Sequence, residues 1–301
     1  MKFDLERLSV LAAVAKHGSM TAAAEELSYT PSAVSQQIRR LESELRAPMV
    51  DRHPRGVTLT EAGRAVVARA EAISGQLRGL ENDLNDLAGL RTGTLRIGVF
   101  PTFAASLLPS VITRFRSRHP GVAVEVRNSR NAPIRELLIS GEIDLGLIWD
   151  YPWNRAEHAG VVAEELMLDP TILLLPATHP MAARMDVDLA DLEAEAWVVR
   201  EDHPTRDVLE RRARTHGFAP KVAAETNDYP ELQAMVAAGF GIAMCPALAT
   251  QPLRDDLVVR RLRPDVPARR ISTAYSAGRA PSPSLQAMVS AMRNVAAGRP
   301  V

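Results

Sequence analysis

The chain has 301 residues, too many for a single hydrophobic core, so two or three domains are expected. Hydrophobic residues make up 46% and charged residues 24%, the balance of an ordinary globular protein. With 36 Lys and Arg against 36 Asp and Glu the net charge is zero. That excludes a global electrostatic pull toward nucleic acid or membrane and confines any charged recognition surface to a local patch.

Cys245 is the only cysteine, so no internal disulfide can form, which fits a reducing compartment. The opening Met1-Lys2-Phe3-Asp4-Leu5-Glu6-Arg7 carries two acids and no apolar run, unlike a signal peptide, and a cytoplasmic location is expected. The longest uncharged stretch, residues 232–253, is interrupted by Gly239, Gly241 and two prolines. It reads as helix, turn and strand, and no membrane association is expected.

A first helix is expected from Asp4 to His17, with Leu5, Leu8, Ala12 and Ala15 on one face. Gly18 supplies its stop. Ser19 or Thr21 caps a short second helix whose small residues Ala22, Ala23 and Ala24 permit close approach of a neighbour. A third helix starts at Thr30-Pro31, a cap followed by proline at the first position. Val34, Ile38, Leu41 and Leu45 form its apolar stripe. Its opposite face carries Ser32, Gln36, Arg39 and Ser43, flanked by Ser35 and Arg40. Gln and Arg pair bidentately with base edges, and Ser and Arg reach phosphates. A polar helix face is more often simply solvated. Here it follows a short helix and a tight turn, which is the helix-turn-helix plan. Residues 49–60 then read as a β-hairpin wing turning at Pro54 and Gly56, with Arg52, His53 and Arg55 near the tip. From Thr30 to Gly56 five arginines face three carboxylates, a modest local excess.

At this point the chain resembles LysR-type transcriptional regulators. The resemblance rests on Leu8, Leu11, Val14, Ala15, Gly18, Ser19, Thr21, Ala23, Ala24 and Leu27 at their spacing, on Pro31-Ser32-Ala33-Val34-Ser35-Gln36-Gln37-Ile38-Arg39-Arg40-Leu41-Glu42, and on Val57-Thr58-Leu59-Thr60-Glu61-Ala62-Gly63-Arg64. Met49-Val50-Asp51-Arg52 stands where the family usually has Leu-Phe-Glu-Arg, and Tyr29-Thr30 where it often has Ser-Gln. The resemblance implies a third helix reading the major groove of double-stranded DNA through Ser32, Ser35, Gln36 and Arg39, and Arg40, flanking that face, is a further candidate DNA contact. The resemblance puts Arg52 and Arg55 on phosphate or in the minor groove.

Residues 61 to about 90 read as one long helix, roughly 45 Å if continuous. Its seam, Val66, Ala70, Ile73, Leu77, Leu80, Leu84 and Leu87, steps 4-3-4-3-4-3. An amphipathic helix lying on its own domain is the simpler explanation; a narrow seam bordered by Arg78, Glu81 and Asp83 favours dimerisation through Ile73, Leu77, Leu80, Leu84 and Leu87. Gly75 and Gly79 sit off the seam, each weakening the helix by about 1 kcal/mol. The resemblance implies antiparallel linker helices in a homodimer, and commonly a homotetramer.

From Gly93 onward short β-rich runs alternate with helices. Strands are expected near 94–100, 122–126, 145–149, 171–175, 197–200, 222–226, 241–245 and 271–276. A mainly parallel sheet that leaves near Ala163-Glu164 and returns near Pro264–Pro267 gives two lobes and a cleft. The expected architecture is thus α+β and multidomain: a winged helix-turn-helix over 1–60, a linker helix over 61–91, and a two-lobed α/β domain over 92–301, which the resemblance implies to be of periplasmic-binding-protein type. Lobe I would be about 92–163 with 268–301, and lobe II about 164–267.

Ligands of α/β sheets bind beyond the carboxyl ends of strands. Thr102, Phe103, Ser129, Trp149, Arg200 and Asn227 occupy such ends and are the candidate effector contacts, although each could equally cap a helix or satisfy a loop. The small-molecule effector is open. Thr102 and Ser129 with helix N-termini suit a carboxylate, Phe100, Phe103 and Trp149 suit an apolar body, and Asp150, Glu201 and Asp202 suit an amine.

No cofactor or metal site is expected, since no His-Glu-x-x-His, Cys-x-x-Cys or P-loop occurs. Gly239-Phe240-Gly241-Ile242-Ala243-Met244 resembles a dinucleotide loop but ends in Met and precedes a strand. Residues 94–301 alone would allow a solute-binding module or a two-lobed enzyme. The first 60 residues argue against the former, and the want of a catalytic constellation against the latter.

Overall fold

The computed structural model describes residues 4–53, 56–87, 93–129, 131–153, 155, 159–201, 203–264, 266–278 and 280–298. Helix α1 (Leu5–His17) begins at Asp4, whose carboxylate accepts the Glu6 N–H, and ends at Gly18, where φ is 60°. Its buried residues are Leu8, Val10, Leu11, Ala13 and Val14, while Leu5 is exposed. The expected stripe is therefore rotated, because α1 is packed by the second and third helices and by the linker helix.

Helix α2 (Met20–Glu26) is capped by Ser19, and its Ala23 and Ala24 are wholly buried. Helix α3 (Pro31–Leu45) is capped by Thr30, whose hydroxyl accepts the Ala33 N–H at 3.2 Å. Val34, Ile38 and Leu41 enter the core of this domain as expected. Strands β1 (Val50–His53) and β2 (Gly56–Leu59) pair antiparallel from Val50↔Leu59 to His53↔Gly56 and form the wing.

Helix α4 (Glu61–Leu87) divides its apolar seam between two uses. Ala70 is buried in the winged domain with the off-seam Val67, and Val66 is partly buried there. Further along, Ile73, Leu77, Leu80 and Leu84 are 38%, 42%, 54% and 56% exposed. The side chain of Leu87 lies outside the described residues.

The remaining elements run β3 (Gly93–Val99), α5 (Pro101–Ser106), α6 (Leu108–Arg118), β4 (Val122–Asn128), α7 (Asn131–Ser140), β5 (Leu145–Asp150), β6 (Val161–Asp169), β7 (Thr171–Pro176), β8 (Asp186–Asp188), β9 (Ala196–Arg200), α8 (Pro204–Thr215), β10 (Lys221–Thr226), α9 (Tyr229–Ala237), β11 (Ala243–Pro246), β12 (Leu257–Arg263), β13 (Arg269–Ser276) and α10 (Pro283–Ala297). Lobe I is a five-stranded sheet ordered β4-β3-β5-β13-β6, with α5, α6 and α10 covering one core and α7 the other. Lobe II joins the sheet β11-β7-β12-β8 to the pair β10-β9.

Two expectations fail here. The sheets are mixed, not mainly parallel: β3 pairs parallel with β4 and β5, but β13 runs antiparallel to both β5 and β6. One crossing strand leaves lobe I and the other returns to it, so side by side they must oppose. The first crossing also falls at Pro170, not at 163–164, because β6 stays in the lobe I sheet through Asp169. Strands β6, β8 and β12 escape the sequence pattern; Glu164-Glu165 and Arg260-Arg261 interrupt the apolar runs of β6 and β12.

Gly75, a weak point by propensity alone, is where lobe I seats on the linker helix. A Cβ at Gly75 would stand 2.1 Å from the Ser140 carbonyl oxygen and 2.5 Å from the Gly141 Cα, so only glycine permits this approach. Gly75→Ala raises helix propensity by about 1 kcal/mol, yet it should unseat lobe I. Small-angle scattering is expected to show a larger radius of gyration for this variant; an unchanged radius with a raised melting temperature would show that the seat does not form.

Candidate nucleic-acid interface and effector cleft

The polar face of α3 is built as the sequence implies. Ser32, Gln36, Arg39, Arg40 and Ser43 are exposed and line one open, shallow surface. Ser35 is half-buried at the junction with the wing. Its hydroxyl accepts Arg52 Nη2 at 3.1 Å and Arg39 Nη2 at 3.5 Å, so one serine draws the helix arginine and the wing arginine together. Arg55 lies outside the described residues.

Neighbouring cations are matched to carboxylates: Arg7 pairs with Asp4 and Glu44, and Lys16 pairs with Glu26, which the His17 ring also meets. By contrast, Arg39, Arg40 and Arg52 have no carboxylate within 4 Å among the described residues. A chain of zero net charge thus keeps three unneutralised guanidiniums on one face. Such a patch attracts phosphates and makes binding salt-dependent.

The second site lies between the lobes. A pocket of about 60 Å³ is lined by Phe100, Pro101, Thr102, Trp149, Arg200, His203 and Arg269. A larger cavity of about 650 Å³ shares Pro101, Thr102 and Arg200 with it and extends along Asn227, Tyr229, Leu248 and Pro252. Of the candidate residues, Thr102 and Arg200 line both cavities, Trp149 the smaller and Asn227 the larger. Two candidates line neither. Phe103 is fully buried in the lobe I core, because adjacent helix positions lie about 100° apart and Thr102 takes the cleft side. Ser129, at the end of β4, lends its N–H to the Val99 carbonyl and lines neither cavity.

The residues that organise the cleft were missed. Arg269 is 1% exposed; its Nη2 donates to Asp169 Oδ2 at 2.6 Å and to the Thr102 hydroxyl at 3.0 Å. Its guanidinium also lies 4.9 Å from the Phe100 ring centre and 5.4 Å from that of Trp149. The second oxygen of Asp169 accepts the Leu248 N–H at 3.0 Å. His203 caps α8, accepting the Thr205 N–H through Nδ1, and stands 3.2 Å from the Tyr229 hydroxyl. Burial pushes the Tyr229 phenol up and holds that of Tyr151 up at about 12. Arg200 lies over the Tyr229 ring and donates Nε to the Asn227 carbonyl. Asp169 and Arg269 are 100 positions apart, so no local pattern signals the pair. Among the described residues no His, Cys, Asp and Glu group could hold a metal, and no helix is long and apolar enough to cross a membrane.

A winged helix-turn-helix on a long linker helix, joined to two lobes with a polar cleft between them, defines a DNA-binding regulator with a sensing domain. The chain belongs to the LysR family of bacterial transcriptional regulators: residues 5–64 match the bacterial regulatory helix-turn-helix protein model, lysR family, and residues 88–297 match the LysR substrate binding domain. It is 33% identical over 263 residues to a RuBisCO operon transcriptional regulator of Allochromatium vinosum, covering 87% of this chain and 84% of that one. A probable hydrogen peroxide-inducible genes activator of Streptomyces viridosporus is 29% identical over 99% of this chain and 96% of its own. In fold, full-length CbnR solved with its target DNA superposes with a TM-score of 0.72 at 23% identity, covering 97% of this chain and all of that one. A full-length OxyR variant from Pseudomonas aeruginosa gives 0.75 at 23%, covering 97% and 95%. The chain is a sequence-specific DNA-binding regulator with an effector-binding domain, and not an enzyme.

Cys245 is fully buried beside Asp169, and desolvation first, then that carboxylate, pushes its thiol well above the ordinary range. The native protein should resist iodoacetamide at mildly alkaline pH and react once unfolded in guanidinium chloride; rapid native labelling would overturn this. The sign for stability follows. Above the ordinary thiol value the unfolded state loses a proton that the native state keeps, so stability falls as pH rises.

Proposed function

We propose that the chain binds promoter DNA in the cytoplasm as a homo-oligomer. Ser32, Ser35, Gln36, Arg39 and Arg40 of each protomer read a major groove, and Arg52 with Arg55 grips the adjoining backbone or minor groove. The carrying observation is the cluster of Arg39, Arg40 and Arg52, left without carboxylate partners in a chain whose charges otherwise balance. Ile73, Leu77, Leu80 and Leu84 present an exposed apolar stripe that a second linker helix would cover, and Leu87 continues its spacing. That stripe supports a dimer directly, and dimers pairing into a tetramer follow the family pattern. A small molecule held by Thr102, Trp149, Arg200 and Asn227 would favour one arrangement of the lobes and so alter how the paired winged domains engage DNA.

Arg39→Ala is expected to weaken binding to an operator fragment selected from the gene's upstream region by about 1–3 kcal/mol and to relax its sequence preference. Arg52→Ala should weaken all sequences alike and reduce the salt slope by about one. Equal affinity, specificity and slope in both variants would remove α3 and the wing as the interface. Leu80→Glu should shift the protein to monomers in analytical ultracentrifugation, whereas an intact dimer would place the interface elsewhere.

A further inference from the structure

The cleft has an electrostatic asymmetry that bears on the chemistry of its ligand. Arg200 is partly exposed and has no carboxylate within 4 Å among the described residues; its Nε meets only a carbonyl. Arg269 lines the same pocket at 1% exposure, and its Nε is buried with no hydrogen-bond partner among the described residues. A buried guanidinium N–H left unmatched is costly and calls for an acceptor. The smaller pocket is lined by no carboxylate among the described residues. Asp150, nearby, forms a bidentate pair with Arg270, and Asp228 lines only the larger cavity, where it caps α9 through the Glu231 N–H. The smaller pocket thus offers a cation no lining carboxylate, whereas an anion would find two guanidiniums and the Thr102 hydroxyl.

We infer that the effector is a small oxyanion-bearing molecule, a carboxylate or a phosphate, whose anionic end sits between Arg200 and Arg269 in competition with Asp169. This rests on the effector cleft proposed above and assigns its ligand class. The pocket of about 60 Å³ suits such a group, and the cavity of about 650 Å³ that continues past Thr102 takes the rest of the molecule along Tyr229 and Leu248. The competition has a structural consequence. Asp169 ends the strand leaving lobe I, Arg269 begins the strand returning to it, and Asp169 also holds Leu248. An anion that draws on Arg269 therefore loosens the tie at both crossings at once.

The test uses the full-length protein and isothermal titration with succinate, with inorganic phosphate, and with succinamide as a neutral control. One anion should bind and succinamide should not; succinate alone assigns a carboxylate effector, phosphate alone a phosphorylated one. Arg200→Gln should weaken the anion at least about tenfold. Asp169→Asn, which keeps an acceptor for the Leu248 N–H, should tighten it several-fold by freeing Arg269, an effect opposite to that of mere structural damage. Binding of neither anion, equal binding of succinamide, or unchanged affinity in Arg200→Gln would overturn the inference. Should Asp169→Asn fail to fold, Arg200→Gln decides alone. Fluorescence polarisation of an operator fragment runs in parallel. Anion binding without any change in DNA affinity supports the anion site and removes its regulatory role, while intact DNA binding with no anion bound overturns the anion site and leaves the regulator.

Discussion

The Asp169–Arg269 ion pair, 2.6 Å long and closed to solvent, is the constraint on which the two-lobed domain depends. A charge taken out of water needs its partner and further hydrogen bonds, and removing one partner of such a pair costs about 3–5 kcal/mol. Here every available group is drawn from a different part of the chain. Asp169 closes the outgoing crossing, Arg269 opens the returning one, Thr102 comes from α5 of lobe I, and Leu248 follows β11 of lobe II. The two crossing residues are also the first pair of the β6–β13 ladder. Backbone register and buried charge therefore fix the same point, and the cleft opens directly beside it. The aromatic rings of Phe100 and Trp149 against the guanidinium complete a wall that is polar in the middle and apolar around it.

Charge is handled in the same economical way at the other end of the molecule. With acids and bases equal in number, the surface distribution of ion pairs decides where a field survives. Around the winged domain the cations of α1 are matched to Asp4, Glu26 and Glu44. Glu42, on α3 itself, is occupied by the backbone N–H of Met49 and so fastens the wing to the helix. Arg39 and Arg52, gathered around Ser35, and Arg40 beside them are among the guanidiniums that no carboxylate of the described residues reaches. Net charge was a poor guide to this surface because the partners of the matched cations are assigned by packing, not by composition.

The difference between what the sequence discloses and what it hides follows from separation along the chain. The winged domain is legible because its signals are local: a glycine stop at Gly18, caps at Ser19 and Thr30, a proline at the first position of α3, and apolar spacings of 4 and 3. Even there the buried face of α1 differs from the expected stripe, since three neighbouring helices and not one define it. The cleft is legible only in outline. Strand ends pointed to Thr102, Trp149, Arg200 and Asn227, but one step along a helix turned Phe103 into core. Arg269 stands in a run of charged and proline residues that reads as a loop, and its role appears only when β13 is laid against β6. Mixed strand direction was equally hidden, because an apolar run of six residues fits a parallel or an antiparallel strand alike.

The two sites meet through lobe I. Its sheet carries the cleft at one side, where β6, β13 and α5 converge on Arg269, and the linker seat at the other, where the turn after α7 rests on Gly75. Between them α7 is locked onto the sheet by Ile134, Leu138 and Ile143, and the Asp144 carboxylate holds the Arg96 N–H of β3 at 2.9 Å. A packed sheet of this kind moves as a unit because its interior has little free volume. A shift of lobe II at the crossings therefore acts on the edge of a rigid plate that also carries α7, whose following turn touches the linker helix. Gly75 permits that contact only by lacking a side chain, and the helix pays for it in propensity. The same helix then runs on through Leu77, Leu80 and Leu84, so the glycine seat lies within one turn of the stripe left open for a second protomer.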